Sequence, residues 1–182
     1  MVYPKFSCLA LLEHETCVLY EVMCEKAEGK DVKLLLHKML LETGYHRDIL
    51  GRLSSDYEAG FKATDAECGK HMGQIFTEAL ALARSVRENV LRGVPLLKCV
   101  EKLLEHEDKL SEEYAIEIHS RLASMDEDKL AVRRILEDIA QDEKRHVETL
   151  KIIIGMISKN SLTEKDGKLN TESFESWQEK WK

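Results

Sequence analysis

Glu143 and His146 stand three residues apart in Ile139-Ala-Gln-Asp-Glu143-Lys-Arg-His146-Val-Glu-Thr-Leu150, a spacing that puts both on one face of a helix. Their neighbours one turn away, Leu136, Ile139, Val147, Leu150 and Ile153, are apolar, so the pair is expected to face a core. A carboxylate there is costly unless something compensates its charge, and a metal ion is the usual compensation. One such pair alone reads as readily as a hydrogen-bonded structural pair. A second one shifts the balance: Glu42 and His46, four apart, with Met39, Ile49, Leu50 and Leu53 around the histidine. The position three before His46, where the first pair would place its acid, is Thr43, a poor metal ligand.

Two further helices each offer an inward acid. The stripe Leu97, Val100, Leu104, Glu107, Ser111, Tyr114, Ile118 carries Glu107 at its centre, whereas Glu105 sits among charges and is expected to face water. In the first helix both Glu13 and Glu15 have apolar neighbours. The stripe through Glu13 (Phe6, Leu9, Ala10, Thr16, Cys17, Tyr20, Met23, Ala27) holds to the helix end, and that through Glu15 fails at Glu25 and Lys26, which favours Glu13. Leu11-Leu-Glu13-His-Glu15 and Leu103-Leu-Glu105-His-Glu107 share five letters at an offset of 92, a weak hint of duplication that would instead align Glu13 with Glu105. Oxygen-rich ligands with two imidazoles suit iron or manganese, with zinc as an alternative.

The elements that would position these groups are helices. The periodicity predicts helices over about 6–28, 31–53, 73–92, 95–124 and 126–158, with a loop or broken connection over 54–71. Ser124-x-x-Glu127 reads as a capping box for the last of them. Four are long enough to lie side by side as a bundle. Short joints pair the first two and the last two as antiparallel hairpins, and 54–94 is long enough for a crossover with its own helix. Residues 1–158 read as this bundle. Residues 159–182 read as a polar linker and a short helix whose Phe174, Trp177 and Trp181 form one stripe, against either its own bundle or a partner such as a second copy in a homodimer.

Composition agrees. The 182 residues are 43% hydrophobic, enough for one core, and contain only 9 glycines and 2 prolines. The net charge of −7, with no concentrated basic face, excludes a nucleic-acid binder of the ordinary kind. The apolar runs fall far short of the roughly 20 residues of a membrane span, and no signal-peptide pattern opens the chain. Five scattered cysteines (8, 17, 24, 68, 99) without a CxxC pair read as mostly core filler in a reducing, cytoplasmic setting. Cys68-Gly-Lys-His71 reads as a loop or helix start rather than half a zinc site, and His14, His37, His106 and His119 as surface residues.

With these pieces in hand, the sequence resembles the ferritin-like superfamily, in its rubrerythrin-like branch, over about residues 6–53 and 96–157. The resemblance is carried by Glu13…Tyr20-Glu-Val-Met-Cys-Glu-Lys-Ala27 and Asp142-Glu143-Lys-Arg-His146. It implies an all-α four-helix bundle of two hairpins, and metal ligands at Glu13, His46, Glu107, Glu143 and His146. The family's second-helix glutamate falls on Thr43, for which Glu42 would substitute by a small helix rotation. A further family glutamate, three after the fourth-helix ligand, is Leu110 here. The resemblance implies two iron ions and reduction of peroxide or dioxygen. The tail after residue 158 carries none of the four cysteines of the family's small iron domain, so the electrons are expected to come from an external donor. The competing expectation is a helical scaffold with a degenerate metal site, serving interaction or regulation; iron storage ranks below both.

Overall fold

A computed structural model describes residues 6–58, 60–105 and 130–166, with side chains to residue 159. All regular structure among the described residues is helical: α1 (Phe6–Lys26), α2 (Lys30–Tyr57), α3 (Asp65–Met72), α4 (Gln74–Leu91), α5 (described over 96–105) and α6 (Leu130–Asp166). None of these helices is long and apolar enough to cross a membrane. Glu107, Leu110, Tyr114, His106, His119, the Ser124–Glu127 capping box, and the Phe174, Trp177, Trp181 stripe lie outside the described residues.

α1 and α2 form the expected antiparallel hairpin, turning through Ala27, Glu28 and Gly29. Its far end is fastened by one side chain. Glu58, just past α2, accepts hydrogen bonds from the backbone N–H of Phe6 and Ser7 and from the Ser7 hydroxyl. Those amides have no partner within α1, so a carboxylate from another helix takes the place of an N-cap and meets the positive end of the helix dipole.

α2 and α6 run antiparallel. Near one end, Leu50 and Leu53 of α2 pack with Phe6, Leu9, Val132, Leu136 and Ile139; near the other, Val32, Leu36 and Met39 pack with Tyr20, Met23, Leu150 and Ile153. Val100 and Leu103 of α5 and Val86 of α4 join the second cluster. Between the two apolar clusters lies a short polar stretch that contains every candidate ligand within the described residues.

Three expectations are corrected. The connection after α2 is not a loop throughout: α3 forms within it, started by Thr64, whose hydroxyl accepts from the Glu67 N–H at 3.3 Å. Thr64-Asp-Ala-Glu67 is a capping-box pattern that marks this start in the sequence. Gly73, at φ 83°, takes the left-handed turn between α3 and α4 that a side-chain-bearing residue resists. α6 runs to Asp166, past its expected end at Ser158. The cysteines are not all filler: Cys8 and Cys68 form a disulfide joining α1 to α3, beside Phe76 and Leu80. That bond also removes Cys68 as a zinc ligand. Cys17, Cys24 and Cys99 are free and buried, and burial pushes the Cys17 thiol up to about 11.

Candidate metal centre

Helical periodicity brings the site together. On α1, Glu13 lies in the stripe of Leu9, Cys17 and Tyr20; on α2, Thr43 and His46 lie between Met39 and Leu50; on α6, Glu143 and His146 lie between Ala140 and Leu150. Each polar group is inward because its helix buries the stripe it sits in. Relative exposures are 7% for Glu13, 1% for Thr43, 0% for His46 and 1% for His146. Glu15 points the other way, to α4, where Arg84 and Arg87 each hold one of its oxygens at 2.9 Å. α1 is covered on both sides, by α2 and by α4, which is why both of its glutamates have apolar neighbours.

The two histidines are held crosswise. His46 Nε2 lies 3.0 Å from Asp142 Oδ2, and His146 Nε2 lies 3.2 Å from Glu42 Oε2. Each acid stands four residues before the histidine of its own helix and bonds the histidine of the other. A carboxylate only accepts, so both Nε2 atoms carry a proton, and in the neutral rings both Nδ1 atoms then present a lone pair. Both Nδ1 atoms face Glu143 Oε1, at 3.4 Å from His46 and 3.5 Å from His146. Glu13 Oε1 approaches His46 Nδ1 to 3.9 Å. Tyr20 packs edge-on against the His146 ring.

This is a meeting of acceptors. His46 Nδ1, Glu143 Oε1 and the Thr43 hydroxyl are buried with no hydrogen-bond partner among the described residues. Buried lone pairs converge at a cost unless a proton, a water or a cation lies among them. Glu13, His46 and Glu143 each offer one ligand atom, all within 4.8 Å of one another. Ligands about 2.1 Å from an ion lie up to about 4.2 Å apart, so small side-chain adjustments bring this group to binding distance. A Glu/His/Glu group of this kind can hold a metal ion. Burial alone would raise the Glu143 carboxyl; with the two rings protonated, hydrogen bonds from His146 and His46 outweigh burial and hold it well below the ordinary glutamate value, and with the rings neutral a bound cation would do the same.

Of the residues expected from the sequence, the structure brings Glu13, His46, Glu143 and His146 to this stretch. Glu42 reaches it at the edge: half-buried, bonded to His146 and to Lys38 Nζ at 2.7 Å. Burial would raise its carboxyl, but Lys38 and then His146 outweigh that and hold it low. Asp142 was given no role from the sequence. The signal for it was present, since it precedes His146 by four residues as Glu42 precedes His46. His14, His37 and His71 are exposed, as expected for His14 and His37.

Comparison of the chain with protein-family models, with curated proteins and with solved structures finds no match. The resemblance noted above therefore rests on the residues that carry it.

Proposed function

We propose that this chain is a ferritin-like protein of the rubrerythrin type that holds metal, best a pair of iron ions, and reduces peroxide or dioxygen with electrons from an external donor. The observation that carries the reading is the convergence of His46 Nδ1 and Glu143 Oε1, buried with no hydrogen-bond partner among the described residues, with a Glu13 oxygen within 4.8 Å of both. Glu13, His46, Glu143 and His146 would hold the metal, joined by Glu107, which lies outside the described residues. Glu42 and Asp142 would hold the imidazoles in the tautomer that presents Nδ1 to the metal, as carboxylates behind metal-bound histidines do. Bound iron would supply one-electron chemistry that these side chains lack. Manganese would suit the same ligands, and zinc less well.

Metal analysis of protein purified without chelator, with an optical spectrum after anaerobic iron addition, tests this. At least one transition-metal equivalent per chain is expected. Less than about half an equivalent, even after reconstitution, overturns the reading.

A second reading, a ferritin-like scaffold acting in interaction or regulation, draws on Thr43. A hydroxyl stands there, buried, where the pattern of α6 has a carboxylate. Solution mass and partner capture, with and without residues 170–182, test it together with the expected homodimer. A cytoplasmic location agrees with either reading only if the Cys8–Cys68 bond survives there. Thiol-blocked cell extracts would show its oxidation state.

A further inference from the structure

We infer that the metal centre binds its two ions unequally, the first through Glu13, His46 and Glu143, and that Thr43 is the residue that weakens the second. This rests on the metal-binding reading above and concerns how the site fills.

The crosswise hydrogen bonds define a local two-fold relation between α2 and α6. It exchanges Glu42 with Asp142 and His46 with His146, because each acid bonds the other helix's imidazole. The residue after each acid is then exchanged as well, so Thr43 is the counterpart of Glu143. Glu143 Oε1 serves both Nδ1 atoms. Thr43 Oγ1 is buried and has no hydrogen-bond partner among the described residues. One half of the relation thus supplies a shared carboxylate, and the other supplies a short neutral side chain.

Charge makes the two ions unequal. A first divalent ion among Glu13, Glu143 and His46 is balanced by two carboxylates. A second ion, at His146, would share Glu143 with the first, so even with Glu107 added, three carboxylates would face two divalent ions. A glutamate at 43 would offset the repulsion between two divalent ions a few ångströms apart, and threonine cannot. Loss of even an outer partner of a metal ligand lowers metal affinity by about 10–100-fold. The loss of a shared carboxylate should weaken the second ion by at least about tenfold.

Manganese(II) binding to the metal-stripped full chain, by equilibrium dialysis with metal analysis, tests this on the wild type, Thr43→Glu and Thr43→Gln. The expected wild-type result is one tight manganese per chain and a second at least about tenfold weaker. Thr43→Glu should bring the second ion close to the first in affinity, and Thr43→Gln, of similar size without the charge, should not. Two equal ions in the wild type overturn the inference, as does a Thr43→Glu isotherm that matches that of Thr43→Gln. If Thr43→Glu does not fold, the wild-type isotherm decides by itself. A wild type that takes up neither manganese nor iron overturns the metal-binding reading and this inference with it; two equal ions overturn this inference alone.

Discussion

His46 of α2 and His146 of α6 turn their Nδ1 atoms on a single oxygen, Glu143 Oε1, at 3.4 and 3.5 Å. Their ring centres are 6.1 Å apart. Neither ring reaches that arrangement alone, because each is fixed from behind by an acid on the other helix. The centre is thus as much a joint between α2 and α6 as a pocket, and metal binding should be coupled to their packing.

Asp142 should act through His46. Asp142→Ala removes the acceptor behind Nε2, frees the tautomer and lets the ring turn. Manganese affinity is expected to fall about 10–100-fold with unchanged far-ultraviolet circular dichroism, while Asp142→Asn, which keeps an acceptor oxygen, recovers part of the loss. Equal affinities for all three proteins would refute the role.

The Cys8–Cys68 bond closes a loop spanning 60 residues of sequence, which contains α2 and most of α1. On the chain-entropy estimate, closing a loop of that length stabilises the fold by about 4 kcal/mol. Urea unfolding of the wild type should shift to lower denaturant with reductant. The Cys8→Ser/Cys68→Ser double variant should show the lower midpoint with or without it.

Glu15 sets part of the acid sensitivity. Burial would raise its carboxyl, but Arg84 and then Arg87 outweigh that and hold it below the ordinary value of 4.5. A carboxyl depressed in the folded state adds stability that is full above its unfolded value and is lost as the pH falls through the folded one. Thermal melts of the wild type should therefore lose stability as the pH drops below about 4.5, and Glu15→Gln should be less stable at pH 7 with a shallower acid limb. Parallel limbs would refute it.

Glu58 fastens the hairpin from 51 and 52 residues away in sequence. Glu58→Ala leaves the first amides of α1 without their acceptor, at a cost of about 1–2 kcal/mol, near the upper end for a helix cap. A chain of this size should melt about 2–4 °C lower for each kcal/mol. Hydrogen exchange should rise first at Phe6 and Ser7, and unaltered exchange there would count against the cap.

The sequence by itself determined the helical class and the inward turn of His46, Glu143 and His146. A helix repeats every 3.6 residues, so a residue's apolar neighbours at three and four positions away disclose which side it buries. That logic weakens where a helix is covered twice. α1 packs against both α2 and α4, its two glutamates each sit in an apolar stripe, and only the tertiary structure pairs Glu15 with Arg84 and Arg87 and leaves Glu13 to the centre. The disulfide was hidden for another reason. Its cysteines become neighbours only when α3 folds back on α1, a distance in space that periodicity along one helix does not encode. Asp142 and Glu42 belong to the same class: their letters were plain, but the crosswise bonds exist only in the antiparallel register of α2 and α6, which is set by the two apolar clusters on either side of the histidines.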